Sequence, residues 1–546
     1  MVPDSAAAEL LRERDIFPLP KLRLLPGPGK SRSKRVAARA ALKNRAICIA
    51  NRAIHALNQL NGCPPHTTRV VKPDGRIHDV QTYILQCSYK FCSAHDSGAQ
   101  TTESTDDQTY GIGGGGAPTP LVAALVSLPE RGGTFPVQEY VGPELAAFVH
   151  GDRAARWDPL VAELNRAASR SYQLAAPEEY AALVARMWRA AMAELTADAA
   201  SHPVGMFAVW KVLEESQRLI VDARPPNAGF RSPKYEQTTG EDLTRIQVPE
   251  GYTLEAAKAD LADFFHACAA ALELRAEFGL RPVEAKALRE LGVDVPESAI
   301  DGKGRTHPRL TTLPMGWCAS PGVAQGAHEA ILYGSDGDGS VHAKALDPVL
   351  DPGGRWSSAR VPAPGTPAES TPHAIVIDDL MLFRYVDKST KQPRQSVPLA
   401  RILKRYLQVG LDYKAKKVID YSEEQILLGY LLCANVLQCT PERYAELVRA
   451  VESLERRRWA RPREVEALVG KFTHIMLLHR PSLSVFSAVY AYARKMGHRS
   501  GRVWPSVLRE LNMALAILPL VRADLSTPVA PVLLQTDASD TGAAVV

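Results

Sequence analysis

Ala374-Ile375-Val376-Ile377-Asp378-Asp379-Leu380-Met381-Leu382-Phe383 sets two adjacent carboxylates inside an otherwise apolar, β-branched run. Buried carboxylates are costly unless something positive neutralises them. An apolar run, two acids and a second apolar run read as strand, tight turn, strand. That geometry holds both acids at a hairpin tip, where a divalent metal could bind. Taken alone, the pattern also fits an ordinary Asp-containing hairpin, so the rest of the chain decides its meaning.

The chain has 546 residues, enough for three or four domains, and 46% hydrophobic residues, enough for sizeable cores. Net charge is only +5, but it is unevenly spread: Lys21 to Arg52 contains many Lys and Arg and no Asp or Glu. Such an arm reads as a nucleic-acid contact, or equally as a solvated basic helix or sorting signal. No run of about 18 apolar residues predicts a membrane span, and the charged N-terminus lacks a signal-peptide core. Eight scattered cysteines suggest free thiols in a reducing, intracellular compartment, with nucleus and cytoplasm both open. Cys63, His66, Cys87, Cys92 and His95 contain two C-x-x-H spacings suited to zinc, although the spacing between them fits no zinc pattern.

Residues 1–92 read as a basic helical region, with an amphipathic helix over Arg32 to Leu60. Residues 93–120 are rich in Gly, Ser, Thr and Asp and read as a linker. Within them, Gly111 to Gly116 formally fits GxGxxG, but lacks the flanking strand and helix of a dinucleotide site. Residues 121–200 read as a helical extension, Ala- and Leu-rich from Leu145 to Ala199. A loop-like insertion spans 334–372. Helices are expected from Pro441 to Met496, with starts near Thr440-Pro441 and Arg461-Pro462. The end of the chain, from Pro531, reads as the start of a strand-rich domain.

Four further elements accompany the Asp-Asp hairpin, in order. They are Arg218-Leu-Ile-Val-Asp222-Ala-Arg224-Pro-Pro-Asn227, Asp260-Leu-Ala-Asp263-Phe264-Phe265-His266, Leu313-Pro-Met315-Gly316-Trp317 running on to Gln325, and Lys417 followed by Leu428-Gly429-Tyr430. From about Phe207 to Ala493 this ordered set resembles the reverse transcriptases of retroelements and retroviruses. The terminal Leu534-Gln-Thr-Asp537-Ala-Ser-Asp-Thr-Gly542 is similar to the opening strand of a ribonuclease H domain. The resemblance implies an α+β right-hand polymerase. Fingers and palm would occupy 201–435, a thumb or connection 436–500, and a connection with a truncated ribonuclease H start 501–546. It also implies a retrotransposon source.

Residue by residue, the resemblance implies that Asp260 and Asp378 are the principal metal ligands, with Asp379 the less direct third acid. Two Mg²⁺ ions are implied, with Mn²⁺ able to substitute; hard oxygen donors suit Mg²⁺, and a metal pair stabilises both attacking and leaving oxygens. Lys211 and Arg218 match residues that clamp the incoming triphosphate. Asp263 and Phe264 lie at its backbone, and Phe265 matches a steric gate against the ribose 2′-hydroxyl. Met315 and Gly316 match a nucleotide-facing segment, with Trp317 toward the template. Lys417 matches a general acid for pyrophosphate, beside Lys414 and Lys416. Leu428, Gly429 and Tyr430 match a primer-gripping hairpin, and Asp222, Arg224 and Asn227 a scaffold in the fingers. Asp537 matches the first ribonuclease H acid, whose partners would follow Val546, so that activity is not expected.

The implied partners are an RNA or DNA template, a DNA primer and deoxynucleoside triphosphates, with no membrane and the oligomeric state open. Three features depart from the family, one of them the insertion between Gln325 and Ala374, which is longer than the family's. Val376 stands where Tyr is usual, and Glu255-Ala-Ala-Lys-Ala259 before Asp260 has helical rather than strand propensity. The rival readings are a non-catalytic nucleic-acid-binding remnant of a decayed polymerase, and an RNA-binding scaffold acting through the N-terminal region.

Overall fold

The computed structural model describes residues 16–26, 34–63, 75–96, 118–149, 157–160, 171–200, 203–212, 215–231, 233–334, 346–356, 371–394, 396–497, 499–527, 536–539 and 542–545. Helix and sheet are mixed throughout, in two compact units: Met1–Glu103 with Ile426–Val546, and Ser104–Gln425.

The first unit opens with helices α1 (Lys34–Leu60) and α2 (Gly75–Asp96), packed on each other. Ala46, Ala50, Ala53 and Ile54 form the buried stripe of α1, at the spacing an amphipathic helix requires. The GxGxxG stretch lies outside the described residues, as does His66 of the cysteine–histidine set. Cys87 and Cys92 are buried in α2, all eight cysteines are free, and no metal-holding group occurs among the described residues.

The second unit carries α3 (Pro143–Val149), α4 (Pro177–Arg189), β1 (Ala193–Thr196), β2 (Gly205–Val212) and β3 (Ser216–Asp222). Next come β4 (Tyr252–Asp260), β5 (Arg305–Leu310), α5 (Ser320–Tyr333), β6 (His373–Val376), β7 (Asp379–Asp387), α6 (Leu399–Gln408) and β8 (Ile419–Ser422). β2 and β3 form a hairpin. The functional sheet has the order β6-β7-β4-β8 and is antiparallel throughout. Helices α5 and α6 pack together, α5 against β6 and α6 against β4.

The chain then returns to the first unit. It forms β9 (Tyr430–Cys433), β10 (Val436–Cys439), helices α7 (Pro441–Arg457), α8 (Pro462–Met476), α9 (Ser487–Met496) and α10 (Pro505–Ile517), and strand β11 (Arg522–Asp524). A terminal hairpin pairs β12 (Thr536–Ser539) with β13 (Gly542–Val545). The starts of α7 and α8 fall at the expected Pro residues, and the Thr440 hydroxyl caps α7 by accepting from the Arg443 N–H.

One expectation needs correction, the helical reading of 145–199, and two other stretches gain a physical account. The Glu255–Ala259 stretch is strand despite its helical propensity: it is hydrogen-bonded to β7 on one side and β8 on the other, and pairing on both edges outweighs the weak propensity of alanine. The helical reading of 145–199 fails at its end, because α4 stops at Arg189, Ala191 takes φ +55°, and β1 pairs with β5. Among the described residues of the loop-like stretch 334–372, Leu350 and Trp356 are buried and the Trp356 N–H bonds the His373 carbonyl, so part of the loop packs into the core.

Two buried histidines beside the sheet share one arrangement. His373 Nδ1 lies 2.9 Å from the Thr371 carbonyl and its Nε2 2.9 Å from the Tyr333 hydroxyl. His328 Nδ1 lies 2.7 Å from the Ile377 carbonyl and its Nε2 2.8 Å from the Tyr406 hydroxyl. The carbonyl fixes the proton on Nδ1, and the phenol then donates to Nε2, so both rings are neutral. Burial pushes both imidazoles down to about 4. A folded-state pKa below the unfolded value means that the unfolded chain binds protons first on acidification. Stability is therefore expected to be intact above pH ~6.5 and to fall toward pH ~4 by on the order of a few kcal/mol. Urea midpoints measured across that window, for wild type and His373→Gln, check this; a smaller slope is expected in the variant.

Candidate active site

The tip of the β6–β7 hairpin is a two-residue turn, Ile377-Asp378, closed by the Val376–Asp379 pair. Ile377 sits at φ +55°, a conformation that a β-branched side chain disfavours. Such strain, typically about 1–3 kcal/mol, persists only where the surroundings over-determine it. Here they do. Gln325 on α5 accepts from the Ile377 N–H at 2.7 Å and donates to the Ile375 carbonyl at 3.0 Å. His328, three residues on, donates to the Ile377 carbonyl, and the Leu261 N–H bonds the Asp378 carbonyl at 2.9 Å.

The register of β4 against β7 places Asp260 opposite Asp379. Asp260, at the end of its strand, is 7% exposed. Asp378 sits in the adjoining turn, and its carboxyl is pushed up by burial first and by the charge of Asp260 second. The charge of Asp260 therefore disfavours the ionised form of Asp378. The turn containing Ala415–Lys417 brings up compensating charge. Lys414 Nζ is 2.7 Å from Asp260 Oδ1, and Lys417 Nζ donates to Oδ2 at 3.0 Å. The Lys414 N–H also bonds the Asp260 carbonyl at 2.9 Å. Lys414 is desolvated, yet the acids around it hold its ammonium above the usual lysine range. Sequence matching favoured Lys417; geometry gives Lys414 an equal place. Lys416 is exposed.

Asp260 Oδ1 is buried and faces the Lys414 ammonium at 2.7 Å. Hard carboxylate oxygens at the end of β4 and in the adjoining turn suit Mg²⁺ in donor chemistry. Among the described residues no three such side chains converge as a formed metal cluster, and the lysines supply the local positive charge.

Beyond β4, Asp263 takes a left-handed conformation at φ +44° and is exposed. Phe264 is buried beside Phe135 and His328, so its side chain belongs to the core. Phe265 is half-buried against the same core. Arg218 on β3 is half-buried, and its charge, with that of Asp263, is felt at His266. Lys211 lies at the β2 bulge, between Trp210 and Val212.

The Met315-Gly316-Trp317 turn is fastened to the β2–β3 hairpin. The Val221 N–H bonds the Met315 carbonyl at 3.0 Å. Asn227 donates to the Gly316 carbonyl at 2.7 Å and accepts from the Cys318 N–H at 3.0 Å. Asp222 holds Arg224 through two hydrogen bonds, at 2.8 and 2.6 Å, which gives this trio the expected scaffold role. Gly316 is required as glycine: φ is +133°, and a Cβ would lie 2.1 Å from the Val221 carbonyl oxygen. Trp317, expected toward the template, is only 1% exposed and packs edge-on against Phe230 and Phe278. It braces the turn and offers no stacking face.

Leu428, Gly429 and Tyr430 belong to the other unit. Leu428 (φ +48°) and Gly429 (φ +79°) make a two-residue hairpin turn. Tyr430 is fully buried, stacked on His474 and donating to its carbonyl at 2.6 Å. As a primer-gripping element the hairpin would act through its turn backbone, not the tyrosine ring. Asp537 lies on β12, opposite Ala544.

Gln325, His328 and Tyr406 had no role assigned from sequence. The signal was present: Gln325 and His328 are polar residues at i, i+3 in a helix otherwise rich in Val, Ala, Gly, Ile and Leu. Tyr406 comes from α6, and nothing local marks it.

No protein-family model and no curated protein matches the sequence. Among solved structures the chain is similar to the foamy viral protease-reverse transcriptase dRH in complex with ds DNA, with TM-score 0.41 and 12% identity, covering 64% of this chain. It is also similar to the foamy viral protease-reverse transcriptase in complex with RNA/DNA hybrid (0.39, 13%, 63%) and with dsDNA (0.39, 12%, 82%). The matches cover 50%, 38% and 73% of those chains, respectively. No described helix is long and apolar enough to cross a membrane.

Removing the His328 donor leaves the Ile377 carbonyl without its partner inside the protein. His328→Phe is expected to lower stability by about 1–3 kcal/mol. His328→Asn, whose amide nitrogen overlays Nδ1, is expected to lose less; denaturant titration of the pair measures the difference. Gly316→Ala should be more damaging than either, because the Val221 carbonyl cannot yield without breaking the hairpin.

Proposed function

We propose that the chain is a reverse transcriptase: a primer-dependent polymerase that copies an RNA or DNA template into DNA, from a retrotransposon. The observation that carries this reading is the register that sets Asp260 against the Asp378-Asp379 turn, with two lysines on the Asp260 carboxylate. Acids on adjacent strand ends and cations within ion-pair range suit transfer of a nucleotidyl group, where negative charge must be gathered and then stabilised.

Asp260 and Asp378 would hold the Mg²⁺ pair, with Asp379 as a supporting acid. Bound Mg²⁺ would supply Lewis-acid stabilisation of the attacking and leaving oxygens. The protein's own groups do the rest. Arg218 presents a forked donor to the triphosphate, and Lys211 on the same hairpin would add a point charge. Asp263 lies at the left-handed turn whose backbone would face the nucleotide. Phe265 would occupy the space of a ribose 2′-hydroxyl, which selects deoxynucleotides. Gly316 allows template and nucleotide to approach the backbone closely. Lys414 or Lys417, released from Asp260, would donate its proton to the leaving pyrophosphate.

The opposing reading, a remnant that binds nucleic acid without catalysis, draws on the same lysines, because an acid already neutralised by ammonium groups needs no metal. Primer extension on an RNA template with Mg²⁺ separates the two. Wild type is expected to extend, and Asp378→Asn to lose roughly three orders of magnitude, about 4 kcal/mol of barrier. Binding of template–primer by both without extension by either would favour the remnant. Lys414→Met and Lys417→Met, compared by their pH–rate profiles, should show which lysine is the acid: only that variant loses the alkaline limb. Phe265→Val should raise ribonucleotide incorporation while leaving deoxynucleotide extension within about tenfold.

A further inference from the structure

Helix α1 carries asparagines at 44, 51 and 58, spaced by seven. Each makes the same pair of hydrogen bonds to the backbone of one residue in the segment Ile16–Leu25. Asn58 accepts from the Leu19 N–H at 2.7 Å and donates to the Leu19 carbonyl at 2.9 Å. Asn51 does the same to Leu22 at 2.7 and 2.9 Å, and Asn44 to Leu25 at 2.8 and 3.1 Å. Gln81 on α2 donates to the Pro20 carbonyl at 2.5 Å.

Simple geometry explains the match. Seven helical residues rise about 10.5 Å and return to nearly the same face. Three residues of extended chain reach about 10–11 Å. A seven-residue helical step therefore reads every third residue of an extended strand, here running antiparallel to the helix. Side-chain specificity enters at one point. Leu19 is 2% exposed, in a pocket of Ala50, Ala53 and Ile54 from α1 and Ile77 and Ile84 from α2. Lys21, Arg23, Leu24 and Leu25 point to solvent. The segment and the exposed face of α1 are both basic, so charge opposes the contact and neutral amides must carry it.

This is the anatomy of a peptide-docking site already holding a ligand: main-chain bonds supply affinity and one apolar pocket supplies selectivity. Every contact of the segment would be reproduced if it came from another molecule. We propose that the α1–α2 pair is a docking site for an extended leucine-bearing segment, and that Ile16–Leu25 of a second copy of this chain can replace the resident one. The inference does not rest on polymerase activity.

Two full-length variants test it. Leu19→Asp expels its own segment and leaves the groove intact. Asn51→Leu with Asn58→Leu disables the groove and leaves the segment free. Each alone is expected to be monomeric by light scattering, and an equal mixture to form a one-to-one complex. A labelled peptide of residues Ile16 to Pro26 should bind Leu19→Asp, and bind wild type more weakly because there it must displace the resident segment. Its affinity should fall roughly tenfold or more when Asn51→Leu is added to Leu19→Asp, since about 1.4 kcal/mol of hydrogen bonding goes with it. Circular dichroism confirms that both variants fold. A mixture that stays monomeric, or a peptide that binds irrespective of Asn51, overturns the proposal.

Discussion

Two carboxylates cannot stay ionised in one poorly solvated corner without a cation to share, and much of the second unit answers that constraint. The strand pairing sets Asp260 against Asp379, and burial together with the charge of Asp260 pushes up the carboxyl of Asp378 in the adjoining turn. The turn through Lys414 and Lys417 is then fixed twice over, by backbone bonding to the Asp260 carbonyl and by both ammonium groups. Behind the acids, α5 and α6 supply the neutral polar groups that hold Ile377 in its strained turn. A charged front and a neutral, fully hydrogen-bonded back are complementary: the first concentrates charge, the second prevents relaxation.

The sequence displayed the acids and the hairpin, because an apolar run interrupted by two carboxylates has few structural solutions. It displayed the helix starts at Pro441 and Pro462 for a similarly local reason. The strand through Glu255–Ala259 was legible only from its place before Asp260, since alanines carry no β signal and the two neighbouring strands hold it extended. The buried state of Tyr430 was hidden, and a buried Met315-Gly316-Trp317 turn was one of two open readings; an aromatic in a motif looks alike whether it faces solvent or core. Lys414 and Lys417 are three residues apart, and sequence could not divide the role that geometry gives to both. Gln325 and His328 were visible as polar interruptions of an apolar helix, but their partner Tyr406 is 78 residues away from His328 in the chain.

The asparagine ladder shows the same division in another setting. Its seven-residue spacing is written plainly in α1, whereas its partners at 19, 22 and 25 carry no mark, because only their backbone is used. Recognition through main-chain groups leaves the recognised sequence almost unconstrained except at Leu19. The acidic corner is the opposite case, since Asp260, Asp378, Lys414 and Lys417 meet through their side-chain charges.

The pairing of β4 with β7 runs for nine consecutive residues without a bulge. Side chains alternate between faces along such a ladder, so adding or removing a single residue within it reverses every side chain beyond the change. The two strands thus behave like a reading frame in space. Length variation is tolerable in the stretches on either side, but within Tyr252–Asp260 and Asp379–Asp387 a one-residue change would point the acids away from each other while leaving composition almost untouched. Drift by substitution and drift by length are therefore unequal threats to this molecule, and the second is the one its sheet cannot absorb.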